Sequence, residues 1–258
     1  MNYALAKMRP ETRIRRGCRK ARELCLDLLY PRRCPVCDRP VRPFGALICP
    51  ECENVPLRTG KNTCLRCGSV LPWDREYCTG CLTRRHLFTK GCGAFTYRSL
   101  SRSLYRFKYK GRREYAAWYG REMARALGDR VRRGPFPRPD MIVPVPLSRE
   151  RMRKRGYNQA ALLARETAAY LGIPCREDLL FRIRNTPALR TRDYRGRQEN
   201  LKRAFLVYGN DVKLKSIMLI DDIYTTGATM DACARALLEA GAENVTFLTL
   251  AIGEETKC

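Results

Sequence analysis

The stretch Ile217-Met218-Leu219-Ile220-Asp221-Asp222-Ile223-Tyr224-Thr225-Thr226-Gly227-Ala228-Thr229 constrains the fold more than any other part of the chain. Four aliphatic residues in an unbroken run predict a strand buried on both faces, the habit of a parallel sheet covered by helices. Two adjacent carboxylates end that strand and a Thr/Gly-rich loop follows. Residues 230–240 then carry Ala234, Leu237 and Leu238 at helical spacing.

Each part has a chemical use. A loop feeding a helix N-terminus presents unpaired backbone N–H groups at the positive end of the helix dipole, which suits a phosphate. Thr225, Thr226 and Thr229 add hydroxyl donors, and Gly227 lets the backbone approach closely. Paired acids beside an anion site suit a ligand that also offers hydroxyls, or a Mg²⁺ that carboxylates help to hold. The ligand implied is a phosphorylated sugar with a vicinal diol. The alternative is a plain strand–turn–helix whose Asp and Thr side chains cap the helix.

This thirteen-residue pattern resembles the 5-phosphoribosyl-1-pyrophosphate (PRPP) motif of type I phosphoribosyltransferases. By that resemblance Asp221 and Asp222 meet the ribose hydroxyls, while Thr225, Thr226, Gly227, Ala228 and Thr229 cradle the 5-phosphate. Tyr224 departs from the motif, which is usually aliphatic there.

Cysteine spacing sets off a second region. Of fourteen cysteines, eight form the CxxC pairs Cys34/Cys37, Cys49/Cys52, Cys64/Cys67 and Cys78/Cys81. A segment this short buries little apolar surface and needs a staple. Two knuckles complete a tetrahedral Zn²⁺ site, so four pairs imply two zinc ions; all-thiolate sites with no open position are structural. Sequential pairing gives two ribbons in tandem and interleaved pairing a cross-brace; the tandem is preferred because it closes shorter loops. Cys18, Cys25, Cys92, Cys175, Cys233 and Cys258 read as free thiols, and His86, the single histidine, as a linker residue rather than a ligand. Paired thiols in a chain whose first sixteen residues lack an apolar core point to metal in a reducing, cytoplasmic setting.

The predicted organisation is a basic N-terminal helix or tail (1–33), a double zinc ribbon (34–83), an α/β domain (93–252) and a tail (253–258). Within 1–33, Ile14, Cys18, Ala21, Cys25 and Leu28 follow helical spacing among ten Lys/Arg. From residue 93 strands at 94–97, 141–145, 179–183, 205–207, 217–220 and 245–251 alternate with helical stretches at 104–107, 115–127, 159–171 and 230–240. That alternation predicts a doubly wound parallel sheet, with ligands outside the carboxyl ends of its strands.

Charge bounds the partners. With 51 Lys+Arg against 26 Asp+Glu the formal net charge is +25, which favours a polyanion. Arginines also crowd the presumed ligand site. Pro146 and Leu147, after the strand at 141–145, begin a predicted pyrophosphate loop, with Arg149, Arg153 and Arg155 as nearby counter-charges. Residues 182–203 are polar and basic, either a mobile loop over a polyphosphate or a track for a nucleic-acid backbone. Tyr105-Arg106-Phe107-Lys108-Tyr109-Lys110-Gly111-Arg112 interleaves aromatics and cations, a pattern for stacking on single strands or for a basic site rim.

The ribbon pairs, the Phe107-Lys108-Tyr109-Lys110-Gly111-Arg112 stretch, Arg155-Gly156-Tyr157-Asn158-Gln159 and the acid-rich strand occur in this order. Together they resemble the ComF family, a double zinc ribbon followed by a type I phosphoribosyltransferase-like domain, over roughly residues 24–252. The resemblance implies PRPP as ligand, Mg²⁺ with it, and a role in DNA uptake or the use of DNA as a nutrient. It further implies single-stranded DNA, a DNA-uptake helicase or other competence proteins as partners. If such a chain is an enzyme it displaces pyrophosphate at ribose C1, with Asp221, Asp222 and Arg155 at the reacting centre; if not, it is a PRPP- or nucleotide-sensing module.

Overall fold

A computed structural model of the chain describes residues 31–43, 45–72, 75–183 and 204–254. The expected N-terminal helix and most of the basic stretch after Arg182 lie outside them. Among the described residues the strands are β1 (Lys90–Thr96), β2 (Met141–Pro144), β3 (Leu180–Arg182), β4 (Phe205–Val207), β5 (Ser216–Tyr224) and β6 (Asn244–Ile252). The helices are α1 (Thr79–Thr83), α2 (Tyr97–Tyr109), α3 (Tyr115–Arg133), α4 (Arg149–Arg155), α5 (Gln159–Leu171) and α6 (Ala228–Glu239).

The central sheet is parallel throughout, in the order β1-β6-β5-β2. Side chains along β5 alternate between two apolar clusters, as a two-residue period requires. Ile217 and Leu219 join α6 residues such as Ala234 and Leu237 on one face. Met218 and Ile220 join Trp118 and Tyr119 of α3 and Leu163 of α5 on the other. Both faces are therefore dry, which is why this strand reads as an unbroken aliphatic run.

The ribbons divide between those faces. Cys34, Cys49 and Cys52 belong to the α3/α5 cluster, and Cys64, Cys67 and Cys81 to the α6 cluster. The two knuckles share one geometry: Cys34 N–H donates to the Arg39 carbonyl and Cys64 N–H to the Ser69 carbonyl, each at 2.8 Å. The residue after each knuckle is left-handed, Asp38 at φ 61° and Gly68 at φ 78°. A Cβ on Gly68 would sit 2.7 Å from the Cα of Cys92 in β1, so the second knuckle rests directly on the sheet.

That contact also closes the sheet's exposed edge. Thr59 N–H donates to the Ala94 carbonyl at 3.1 Å, Thr96 N–H to the Leu57 carbonyl at 2.9 Å and Gly91 N–H to the Arg66 carbonyl at 2.7 Å. An uncovered edge strand would be a template for aggregation; here the ribbons and their connection cover β1. Tyr115 Oη donates to Asp38 at 2.6 Å and Arg112 pairs with the same carboxylate at 3.0 Å, which docks the first ribbon on α2 and α3.

Two expectations change. The first strand begins at Lys90 rather than at 94, because Gly91 and Gly93 carry it past bulky neighbours: a Cβ on Gly91 would meet the Phe247 ring at 2.2 Å. Glycines weaken any strand signal in sequence. The strands predicted at 179–183 and 205–207 are not part of the parallel sheet but an antiparallel pair, β3 with β4. A parallel return would require a crossover helix, and the basic sequence between them has no apolar stripe to build one. Among the described residues no helix is long and apolar enough to cross a membrane.

Candidate functional site

β5 delivers Asp221 and Asp222 half-buried to the carboxyl end of the sheet, one strand from the end of β2. Alternation sends them to different sides. Asp222 Oδ2 forms an ion pair with Lys108 Nζ of α2 at 2.9 Å. Asp221 Oδ1 instead accepts from the Asp222 backbone N–H at 2.7 Å. Burial, and after it the adjacent Asp222 charge, pushes the Asp221 carboxyl from 3.8 up to about 7. The Lys108 and Arg151 charges pull the other way.

The loop after β5 holds Thr225 exposed, Thr226 and Thr229 half-buried, and Gly227 and Ala228 buried. Gly227 is the N-cap of α6 at φ 82°, and no side chain caps that helix. Gly227 is required twice over, by its left-handed φ and by its floor: an added Cβ would meet His86 Cε1 and Tyr224 Oη at 2.8 Å each.

That floor was not visible in sequence. His86, in neither four-cysteine group, is buried: its Nδ1 lies 2.7 Å from Asp231 Oδ2 of α6, and it stacks on Phe88 at 4.6 Å. Asp231 Oδ1 also accepts from the Leu87 N–H at 2.8 Å. Tyr224 stacks on Phe247 at 4.7 Å within the cluster that holds Cys64, Cys67 and Cys81. Its departure from an aliphatic residue has a cause, since a large flat ring fills the gap between loop and second ribbon. Burial, then the nearby Cys67, Cys81 and Cys78 thiols, raises its hydroxyl well above the ordinary tyrosine value.

Pro146 and Leu147 line a cleft of about 860 Å³ with Arg149, Arg153, Asn158 and Arg182. Asn158 fixes this corner, donating to the Val145 carbonyl and capping α5 through Ala160 N–H, both at 3.1 Å. Arg155 faces elsewhere. Its guanidinium donates to Gln159 at 2.8 Å and Tyr109 at 3.2 Å, in a neighbouring hollow lined also by Tyr105, Lys108 and Lys154. The structure therefore separates Arg155 from Pro146 and Leu147, and Lys108 is the residue joining its hollow to Asp222. Lys108 sits in a quoted sequence motif, but its partner is more than a hundred positions away.

The cysteines fall into two groups, Cys34/Cys37/Cys49/Cys52 and Cys64/Cys67/Cys78/Cys81, with ligand atoms within 4.8 Å of one another. The Sγ atoms of Cys37 and Cys49 lie 3.9 Å apart and those of Cys67 and Cys78 3.7 Å. Tetrahedral Zn–S bonds of about 2.3 Å space sulfurs about 3.8 Å apart, so both groups fit zinc. The pairing is the sequential, tandem one. Cys92, Cys175 and Cys233 are free thiols; burial raises the first to about 12 and the second to about 11. Cys18, Cys25 and Cys258 lie outside the described residues.

A family model described as a double zinc ribbon domain matches residues 25–82. Competence protein F of Haemophilus influenzae is 32% identical over 195 residues, which is 73% of this chain and 83% of that protein. The DNA utilization protein YhgH of Salmonella typhi is 30% identical over 84% of this chain and 96% of its own length. Among solved structures, the glutamine PRPP amidotransferase of Bacillus subtilis, complexed with ADP and GMP, matches at 18% identity and a TM-score of 0.35. That match covers 52% of this chain and 25% of the amidotransferase. Sequence identity sustained across most of both chains, with both four-cysteine groups in place ahead of the parallel sheet, makes this chain a member of the ComF family.

Proposed function

We propose that the chain binds PRPP at the end of β5 and serves a cytoplasmic step in the uptake or use of DNA. The observation that carries this reading is the α6 N-terminus: amides without a side-chain cap, a hydroxyl-bearing loop, and two carboxylates one step back along the strand. Thr225, Thr226, Gly227, Ala228 and Thr229 would receive the 5-phosphate, and Asp221 and Asp222 the ribose hydroxyls. The same two acids would hold a Mg²⁺, which supplies charge neutralisation to a departing pyrophosphate. Lys108 now occupies Asp222 and must give way or share it. Pro146, Leu147 and the arginines lining their cleft would receive the pyrophosphate, and the chemistry such a seat supports is displacement at ribose C1.

PRPP with Mg²⁺ is expected to stabilise the protein by about 2.7 kcal/mol at one hundred times its Kd, since it binds only the folded state. A thermal melt with and without ligand checks this. In Asp222→Asn the shift should vanish; a wild-type chain that does not respond to PRPP would sink the reading.

A second reading, a single-stranded DNA-binding module, is favoured by the Tyr105 hollow. Tyr105 and Tyr109 are exposed with ring centroids 5.3 Å apart, and the Arg155 guanidinium sits 5.1 Å over the Tyr109 ring. Aromatics and cations interleaved in this way suit stacked bases on a tracked backbone. Binding to an oligonucleotide should weaken steeply as salt rises, measured by fluorescence anisotropy, and Tyr109→Ala should weaken it at every salt concentration. Affinity indifferent to salt refutes that surface.

A further inference from the structure

Lys108 faces two ways. It lies in the last turn of α2, and its Nζ pairs with Asp222 Oδ2 at 2.9 Å, the two side chains 14% and 13% exposed. The same residue lines the hollow of about 550 Å³ with Tyr105, Tyr109, Gly111, Lys154 and Arg155. Among the described residues that line it there is no carboxylate, so three cations border one open space. Gly111 turns there at φ 66° with nothing within 4 Å of where a Cβ would stand, which leaves room for a strand of nucleic acid to lie over it. Arg155 is held in place, donating to Gln159 at 2.8 Å and to Tyr109 at 3.2 Å. Lys108 instead carries a compact charge on a flexible four-carbon stem, and its ion pair ties the hollow to the acids at the end of β5.

We propose that Lys108 is a switch shared by two sites: in the unliganded chain its ammonium occupies Asp222, and a single-stranded polynucleotide bound in the hollow draws it away, so that polynucleotide and PRPP with Mg²⁺ each favour the binding of the other. The proposal rests on both readings above, PRPP at the acids and single-stranded DNA in the hollow, and joins them through one side chain. While Lys108 holds Oδ2, that oxygen is engaged and does not serve a ribose hydroxyl or Mg²⁺. A backbone phosphate in the hollow offers the ammonium a second anion, and Lys108 turning to it releases Asp222. The opposing effect is repulsion between the two anionic ligands. That repulsion crosses an open, solvated hollow and is screened over about 10 Å, whereas the ion pair is direct and mostly shielded from water, so release outweighs it. By linkage the help is reciprocal: PRPP with Mg²⁺, in displacing Lys108 from Asp222, gives the hollow a free cation.

The test is fluorescence anisotropy of a labelled oligothymidylate at fixed ionic strength and Mg²⁺, with and without saturating PRPP, paired with calorimetry of PRPP with and without the oligonucleotide. Each ligand should tighten the other about tenfold, and by the same factor in both directions. In Lys108→Met, PRPP should bind more tightly than to wild type, and the two ligands should become independent. Lys108→Arg keeps the charge and should keep most of the coupling. Arg102→Gln removes an exposed charge from the same helix, outside the hollow, and should keep all of it. A wild-type chain that binds both ligands independently, or in competition, overturns the switch and leaves both readings standing; this measurement decides even where Lys108→Met fails to fold. A folded Lys108→Met that binds PRPP more weakly than wild type also overturns it, because Lys108 would then be a ligand of PRPP rather than its rival. A wild-type chain that does not bind PRPP, or does not bind the oligonucleotide, removes that reading itself and the switch with it.

Discussion

Asp221→Asn is expected to stabilise the unliganded protein at pH 8 by about 2 kcal/mol while abolishing its response to PRPP. Burial and then Asp222 lift this carboxyl from 3.8 to about 7 in the folded chain. A folded value above the unfolded one means that the native state holds the proton more tightly. Between about pH 4 and pH 7 the native state therefore binds more protons than the unfolded state, so stability falls as pH rises, and above pH 7 the penalty is complete. The interval from 3.8 to about 7 sets a ceiling of about 4 kcal/mol. The side chain keeps contact with solvent, and screening reduces the figure to about half of that. Asparagine keeps the shape and never ionises, so the two proteins should be nearly matched at pH 4 and diverge toward pH 8. Urea unfolding at pH 4, 6 and 8 measures the gap. A variant less stable than wild type at pH 8, or a gap independent of pH, would show that this acid is not held under strain.

A carboxylate that destabilises its own fold suits a site built for a ligand that relieves the strain. The place of these residues at a strand end and a helix start could be read in sequence. Asp221 and Asp222 break an aliphatic run that both faces of the sheet demand, and Gly227 stands where a left-handed turn must start the helix. These are local rules, and the residues obeying or breaking them are contiguous. The tandem ribbons were legible for a similar reason, since each four-cysteine group closes over a short stretch of chain.

What sequence could not show was tertiary. Lys108 reaches Asp222 only because α2 packs back over the sheet. His86 is buried by Phe88 and Asp231, neither of which has any periodic relation to it. Arg155 looked like a counter-charge for the loop at Pro146, but the turn at Gly156 and the hydrogen bond to Gln159 aim it at Tyr109. The strand β1 carries too many glycines for propensity to mark it, because its character comes from the close approach of Phe247.

Zinc removal should have the largest effect of all, and the two sites should differ in what they take with them. A structural zinc contributes about 10–16 kcal/mol in small domains, against a total stability of about 5–15 kcal/mol for a typical fold. Metal analysis should find two zincs per chain, matching the two groups of four cysteines, and a strong chelator should unfold the protein. Cys67 is fully buried in one cluster with Tyr224, Ala228 and Phe247, so its site is part of the floor beneath the loop after β5. Cys37 is half-buried, and its group packs on the other face with α2 and α3. Cys67→Ser should therefore release one zinc and eliminate PRPP binding together with most of the stability of the α6 face. Cys37→Ser should also release one zinc, but its first effect should fall on the docking made by Asp38 with Tyr115 and Arg112. Melting curves with and without PRPP, paired with zinc content for each variant, separate the two. One zinc in the wild-type chain, or a chelated chain that melts where the loaded one does, would remove the ribbons from the account of stability. If Cys67→Ser still bound PRPP as tightly as wild type, the loop would stand without the floor on which it rests here.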